Sequence, residues 1–216
     1  MTSKFINISS PSSHALLLEL NRKLVNAFST EIWKEYGHTF DELSTHHEDI
    51  HAVVLSSAFP NTFNAGLDFN GIGVSFDPAR RAVLTCDFLL DLQHAMTAPE
   101  RCPFPVIAAI HGSVIGMGVD LIVACDEVDM GLAADVGTLA HLPKITGNQS
   151  LARELAYTAR TFSSDEALKL GLVSRVVEGG REAVVGVALH LARVIASKSP
   201  IAVSGTKHLL HARGHR

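Results

Sequence analysis

The chain has 216 residues, of which 47% are hydrophobic, and it carries a formal net charge of −4. This length and composition predict a single domain, residues 1–216, that buries one sizeable core. The acidic balance gives no electrostatic basis for binding nucleic acid or an anionic membrane, and no apolar segment is long enough for a membrane span.

The first part of the chain alternates predicted strands with a predicted helix. Apolar runs between turn residues predict three strands, at residues 5–8, 15–20 and 51–56. Ser29 is a candidate N-cap for a helix between the second and third strands, with Glu31 in its first turn. Large apolar residues then recur at helical spacing, which predicts a face turned to the core: Trp33, Tyr36, Phe40 and Leu43.

A loop and a second helix follow the third strand. The phrase FNAGLD, residues 63–68, predicts a loop around Gly66. Asp77-Pro78 is typical of a helix start, and residues 83–96 have an amphipathic helical pattern that Pro99 closes.

The chain is organised around residues 105–139. The β-branched run at 106–110 predicts a buried strand, and Gly112 and Gly116 then interrupt the chain. Residues 118–125 (GVDLIVAC) are apolar on nearly every side, which predicts a helix inside the protein. Asp120 lies within that helix, and a carboxylate in apolar surroundings favours a functional role.

The last part of the chain is mostly helical by pattern. Helices are predicted at residues 150–160, 181–196 and 201–212, and a strand is predicted at 174–177. Ser163 and Glu166 have the spacing of a capping box for a short helix that ends at Gly171. Strands that alternate with helices over the whole length predict a mixed α/β fold built from βαβ units.

Three phrases resemble one family: IGMGVDLIVACD, EVDMGLAADVGTL and LPKITGNQSLARELAYTAR. They are similar to the crotonase (enoyl-CoA hydratase/isomerase) superfamily and, within it, to the Δ3,5-Δ2,4-dienoyl-CoA isomerases. The resemblance implies a crotonase-like α/β fold of repeated ββα and βαβ units, truncated at the C-terminus. It also implies isomerisation of a 3,5-dienoyl-CoA to a 2,4-dienoyl-CoA in fatty-acid β-oxidation.

The resemblance further implies an oxyanion hole made of two backbone N–H groups. One belongs to Leu67 in the FNAGLD loop, and the other belongs to Met117 in Gly-Met-Gly. Two such donors would hold the negative charge that develops on a thioester oxygen. The implied binding residues are Ala65, Gly66, Leu67, Asp68 and Met117. Glycine is used where backbone and ligand come close, so the Met117 side chain is expected to crowd the thioester.

Three carboxylates match acidic active-site positions of the family: Asp120, Glu127 and Asp135. Moving a proton between distant carbons of a dienoyl chain needs a base to remove it and an acid to return it. Asp135 lies among apolar residues, where desolvation favours the protonated carboxyl, and Glu127 or Asp120 would serve the other end of the substrate. Asp126 and Asp129 are interpreted as the solvated end of a helix.

The chain departs from the family at two places. Relatives have an additional segment between the Cys-Asp end of the helix and the Glu-Val-Asp phrase, whereas Asp126 here runs directly into Glu127. If the helix continued, Asp120 and Glu127 would lie about 10 Å apart on one face. The family also continues with helices beyond the last residue of this chain. Two alternatives therefore stay open: an enoyl-CoA hydratase or simple isomerase, and a catalytically impaired crotonase-fold subunit.

The remaining polar groups give weaker signals. Two histidine groups lack zinc-site spacing and are interpreted as surface residues: His46, His47 and His51, and His208, His211 and His215. Lys207 is a weak candidate for contacting a CoA phosphate. The predicted partner is an acyl-CoA thioester bound by a homo-oligomer, with no metal and no cofactor, because CoA belongs to the substrate.

The cysteines and the N-terminus bear on the compartment. Cys86, Cys102 and Cys125 are widely spaced, without a CxxC pair, which favours a reducing compartment and no disulfide. The N-terminus lacks a recognised targeting pattern, so a peroxisomal or mitochondrial location is implied by the resemblance alone.

Overall fold

A computed structural model describes residues 3–45, 49–68, 78–130, 147–158 and 160–214. These residues form eight strands: β1 (Ile6–Ser12), β2 (Ala15–Leu20), β3 (Ala52–Ser57), β4 (Thr62–Asn64), β5 (Val106–Ala109), β6 (Ser113–Val114), β7 (Glu127–Met130) and β8 (Arg175–Val176). They also form eight helices: α1 (Thr30–Thr45), α2 (Pro78–Met96), α3 (Ala98–Arg101), α4 (Met117–Val123), α5 (Gln149–Thr158), α6 (Ser164–Leu170), α7 (Arg181–Ala196) and α8 (Pro200–Gly214).

The main sheet has six strands in the order β1-β2-β3-β5-β7-β8. The β1–β2 pair is antiparallel, and every other pair in this sheet is parallel. A second, two-stranded parallel sheet joins β4 to β6. Parallel strands need crossover connections, and here the crossovers carry the helices, so the α/β prediction is confirmed.

Both faces of the main sheet are buried at its strands β2, β3 and β5, and each face has its own core. Leu18, Leu55 and Ala108 lie in register across β2, β3 and β5 and belong to the larger apolar cluster, which includes the α1 aromatics. The neighbouring register row, Leu17, Val54 and Ile107, belongs to a second cluster under α7. Burial on both faces explains why β2, β3 and β5 are mostly apolar.

Several local predictions are confirmed. Tyr36 and Phe40 are fully buried, and Trp33 is 3% exposed. The Ser163 side chain accepts a hydrogen bond from the Glu166 N–H, and the Glu166 side chain accepts one from the Ser163 N–H, which completes the capping box. Gly171 ends α6 in the left-handed conformation, with φ 76°.

Several boundaries differ from the predictions by one or more residues, and two of these differences lie at β1 and α4. Strand β1 runs on through Ser12, because the predicted turn is a tight one that keeps β1 paired with β2 as far as the Ser12–Ala15 pair. Helix α4 spans Met117–Val123 and is capped by Ala124, so it ends two residues before the predicted end. By length and composition, no single helix in the described ranges could cross a membrane, although α7 and α8, bent by 110°, meet that criterion as a pair.

Candidate active site

The FNAGLD loop and the start of α4 meet at Gly66. Its φ is +83°, and a Cβ atom added there would lie 3.0 Å from the Ile115 carbonyl oxygen and 3.8 Å from the Met117 nitrogen. Both the left-handed backbone and the close approach favour glycine at this position. The two segments predicted to form one site are therefore neighbours in the fold.

The N–H groups of Leu67 and Met117 are left over when the surrounding backbone groups pair. Phe28 donates its N–H to Gly66 O at 2.8 Å and accepts from the Asp68 N–H at 2.9 Å. These two bonds use the residues on either side of Leu67 and do not involve the Leu67 N–H. Met117 is the first residue of α4, where N–H groups have no partner inside the helix. Within the described ranges, neither of these two N–H groups has a hydrogen-bond acceptor.

The loop is tied to the segment before α1 at both ends. The Ala65 N–H donates to Val25 O at 3.1 Å. Arg22 Nη2 lies 2.7 Å from Asp68 Oδ2, and both side chains are mostly buried, at 22% and 14% exposure. Asp68, predicted as a binding residue, therefore has its carboxylate engaged in an ion pair that anchors the loop.

Asp120 lies on α4 one turn after Met117 and is half-buried. Residues three apart on a helix share a face, so Asp120 and Met117 lie on the same side of α4. Five other residues of α4 are buried, which confirms the predicted interior helix: Met117, Gly118, Val119, Leu121 and Ile122.

The Met117 side chain is buried in the core and is not exposed to a ligand. It is 8% exposed and belongs to the larger core cluster. The expected crowding of a thioester therefore has no support in the described structure, since this side chain packs among apolar core residues.

Glu127 starts β7 and does not continue α4. The conditional prediction that one helix would carry both Asp120 and Glu127 is wrong, because pairing of β7 with β5 draws the chain into a strand after Ala124. In the main sheet, Glu127 pairs with Ile107 of β5. Asp135 lies outside the described residues.

The interpretation of Asp126 as a solvated residue is wrong, because its carboxylate is mostly buried and hydrogen-bonded. Asp126 as a whole residue is exposed, but its side chain is only 17% exposed. Its Oδ2 accepts hydrogen bonds from the Val106 N–H and from Lys207 Nζ, each at 2.8 Å. His211 Nε2 lies 3.1 Å from its other oxygen. Lys207 is 6% exposed and fully occupied, so its predicted contact with a CoA phosphate is also wrong. The backbone of Asp129 lies in β7, beyond the end of any helix.

The histidine interpretation holds only in part. His208 is exposed, but His51 is half-buried: its Nδ1 lies 2.9 Å from Ala196 O, and its ring stacks on His14 with centroids 4.4 Å apart. His46, His47 and His215 lie outside the described residues. Among the residues that the structure describes, no group of three or more His, Cys, Asp or Glu side chains could hold a metal ion.

The buried thiols are poor candidates for nucleophiles. Burial is the largest cause that raises the pKa of Cys102 and of Cys125 above the ordinary thiol value. A thiol reacts as its thiolate, so these raised pKa values keep both groups unreactive near neutral pH. Cys102 Sγ and Cys125 Sγ instead contact the carbonyl oxygens of Ala98 and Leu121, each at 3.3 Å.

One residue at the junction of the two loops was not predicted from the sequence. Asn64 is fully buried, and its side chain bonds to both Asn26 and Gly66. A polar residue in a turn-rich phrase gives no local signal of burial, because turns are where Asn is expected.

Residues 12–215 match the family described as Enoyl-CoA hydratase/isomerase. The chain is 43% identical to the mitochondrial Delta(3,5)-Delta(2,4)-dienoyl-CoA isomerase of Mus musculus, over 97% of this chain and 70% of that protein. It is 40% identical to the peroxisomal Delta(3,5)-Delta(2,4)-dienoyl-CoA isomerase of Arabidopsis thaliana, over 86% of this chain and 73% of that protein. The crystal structure of an enoyl-CoA hydratase from Bacillus anthracis superposes with a TM-score of 0.81 at 28% identity, covering 96% and 83% of the two chains.

The alignment with the mouse protein also shows a difference in length. It extends over 231 residues, which is more than the 216 residues of this chain. The mouse protein therefore has residues within the aligned range that this chain lacks.

Proposed function

This chain belongs to the enoyl-CoA hydratase/isomerase family, and from that premise we propose that it is an enzyme that converts a 3,5-dienoyl-CoA to a 2,4-dienoyl-CoA. The resemblance to the crotonase superfamily and the predicted crotonase-like α/β fold are confirmed by this membership and by the superposition. The observation that carries the proposal is the pair of neighbouring N–H donors at Leu67 and Met117.

These two donors would bind the thioester oxygen of the substrate. When a proton leaves the carbon next to the thioester carbonyl, negative charge moves onto that oxygen and along the conjugated chain. Preorganised donors aimed at such a charge contribute about 3–4 kcal/mol each to the barrier reduction. Because both are backbone groups on anchored segments, they need little reorganisation during the reaction.

The proton balance requires one base and one acid. A base takes a proton from C2, the two double bonds shift by one carbon, and an acid returns a proton to C6. We assign these roles to Asp135 at one end of the substrate and to Glu127 or Asp120 at the other. Asp120 is supported by its place on α4 beside Met117, and the other two assignments are supported by the family resemblance. The reaction has no net oxidation or reduction, so the proposal includes no redox cofactor, and CoA enters as part of the substrate.

A second candidate is a crotonase-fold subunit with impaired catalysis. The observation that favours it is the start of β7 at Glu127, which places this residue in the main sheet and not on α4 with Asp120. Such a subunit would bind acyl-CoA through Leu67 and Met117 but would transfer protons poorly.

The test is turnover by the purified chain with 3,5-octadienoyl-CoA, followed by the ultraviolet absorbance of the conjugated 2,4-dienoyl product. Formation of that product supports the isomerase. Binding of the substrate without product supports the impaired subunit, and hydration of 2-octenoyl-CoA as the main reaction would replace the isomerase with a hydratase. Light scattering of the same preparation tests the proposed homo-oligomer. Because the relatives are named as mitochondrial and peroxisomal enzymes, we also propose one of these two compartments for the chain.

A further inference from the structure

Asn64 bonds through both ends of its side chain while it is fully buried. Its Oδ1 accepts from the Gly66 N–H at 2.7 Å, and its Nδ2 donates to Asn26 O at 2.6 Å. The first bond fixes the residue that immediately precedes Leu67. The side chain of Asn64 therefore controls the peptide next to one of the two proposed oxyanion donors.

Asn64 also contacts the segment that carries the other donor. Its main-chain oxygen accepts from the Ile115 N–H at 2.9 Å. A Cβ atom added to Gly118 would lie 3.1 Å from both Asn64 Cβ and Asn64 Oδ1, so the first turn of α4 packs directly on the Asn64 side chain. Ile115 lies two residues before Met117, and Gly118 immediately follows it.

The acceptor of Asn64 Nδ2 is the main-chain oxygen of Asn26, a residue whose own side chain is also buried and hydrogen-bonded. Asn26 Nδ2 donates to Ser57 Oγ at 2.8 Å and to Phe63 O at 3.0 Å, and Asn26 Oδ1 accepts from the Arg22 N–H at 2.8 Å. Asn26 has φ 53°, a left-handed conformation that Asn tolerates better than most residues. A polar network in which these groups are paired is rigid, because breaking any member leaves a buried group unpaired.

We propose that Asn64 is a positioning residue that sets the separation and direction of the Leu67 and Met117 N–H groups. It does not touch the substrate but links the two segments that do. The inference rests on the proposed function, because it concerns the same oxyanion site. It matters for rate because a displacement of about 1 Å in a reacting geometry costs roughly 100-fold.

The experiment compares Asn64→Ala and Asn64→Ser with the control Ser56→Ala. Ser56 is also fully buried, and its Oγ donates a hydrogen bond to Ala109 O in β5 at 3.0 Å and not to Asn26 or Asn64. We expect Asn64→Ala to lower kcat for 3,5-octadienoyl-CoA by about 10- to 100-fold while KM changes much less. Asn64→Ser should recover part of the loss, because a hydroxyl can still accept from the Gly66 N–H. It also tests the proposal if the alanine variant does not fold.

A spectroscopic measurement separates positioning from a general loss of stability. Bound 2,4-octadienoyl-CoA with a ¹³C-labelled thioester carbonyl should show a carbonyl stretch at lower frequency in the parent chain, because two donors polarise the bond. That shift should shrink in both Asn64 variants and stay unchanged in Ser56→Ala. If the Asn64 variants match Ser56→Ala in kcat and in the carbonyl shift, the positioning role is overturned. If the parent itself shows neither turnover nor a shift, the proposed function fails instead.

Discussion

Lys207 Nζ lies 2.8 Å from Asp126 Oδ2, which joins α8 to the residue immediately before β7 across 81 positions of the chain. The same ammonium donates to Pro99 O at 2.7 Å and to Phe104 O at 2.9 Å. All three of its donors are therefore used, as a buried lysine requires. The contact anchors the C-terminal helix to the strand region that follows α4.

Replacing Lys207 with Met should destabilise the fold. The change leaves the Asp126 carboxylate without its ammonium partner and removes a donor from the Pro99 and Phe104 carbonyl oxygens, so we expect a loss of about 3 kcal/mol in the free energy of unfolding. Urea unfolding measures it. Lys4→Met is the matched control, because the Lys4–Glu31 pair is 69% exposed at both side chains and should contribute little. Equal losses in the two variants would contradict a buried anchor.

Asp120→Asn and Asp135→Asn should each lower kcat, because a positioned acid or base contributes about 10²–10⁴-fold. Steady-state turnover of 3,5-octadienoyl-CoA measures the effect, and substrate affinity should change little. Glu182→Gln, at a side chain that is 85% exposed on α7, is the control and should leave turnover unchanged. A variant with parental turnover would remove its carboxylate from the mechanism.

Met117→Gly should cost stability and should not improve substrate binding. The Met117 side chain is buried in the larger cluster, so its removal opens a cavity worth about 2–5 kcal/mol. Thermal melting and the dissociation constant of 2,4-octadienoyl-CoA measure the two effects. Tighter binding in the glycine variant would restore the idea that this side chain crowds the thioester.

Gly112→Ala should be severely destabilising, whereas Gly186→Ala should be stabilising. Gly112 has φ +67°, and an added Cβ would lie 2.2 Å from the Asn61 carbonyl carbon. Because this contact is with the backbone, a change of side-chain rotamer cannot relieve it. At Gly186, in the middle of α7, an added Cβ meets nothing within 4 Å, so the helix gains about 0.5–1 kcal/mol. Paired thermal melts measure both. A similar sign for the two variants would contradict the close approach at Gly112.

Tyr36→Phe should be tolerated and should lessen the loss of stability at high pH. The Tyr36 hydroxyl is buried without a hydrogen-bond partner among the described residues, so its removal relieves an unpaired group. Burial raises the pKa of Tyr36 well above 10.0, so the folded state keeps a proton that the unfolded chain loses. The contribution of the protonated Tyr36 phenol to the free energy of unfolding is therefore complete below pH 10 and is lost as the pH rises further. Unfolding curves between pH 8 and 11 measure the difference, and an unchanged pH profile would count against the burial of this phenol.

The sequence alone determined those features that depend on neighbours along the chain. Helical spacing identified the buried aromatic residues of α1, and the Ser163–Glu166 spacing identified a capping box, because these contacts join residues three or four positions apart. The quoted phrases identified the family and pointed to the Gly66 and Met117 segments, which the fold brings together.

Tertiary structure decided the features that join distant parts of the chain. The local sequence predicts a surface position for Asp126, but in the fold α8 places Lys207 beside it. The local sequence likewise predicts a turn position for Asn64, but in the fold α4 packs against its side chain. Glu127 pairs with Ile107 because the pairing of β7 with β5 sets the register of β7, and these two strands are separated by α4 along the chain. Such contacts form when elements pack, and local spacing carries no information about which partner lies 80 residues away.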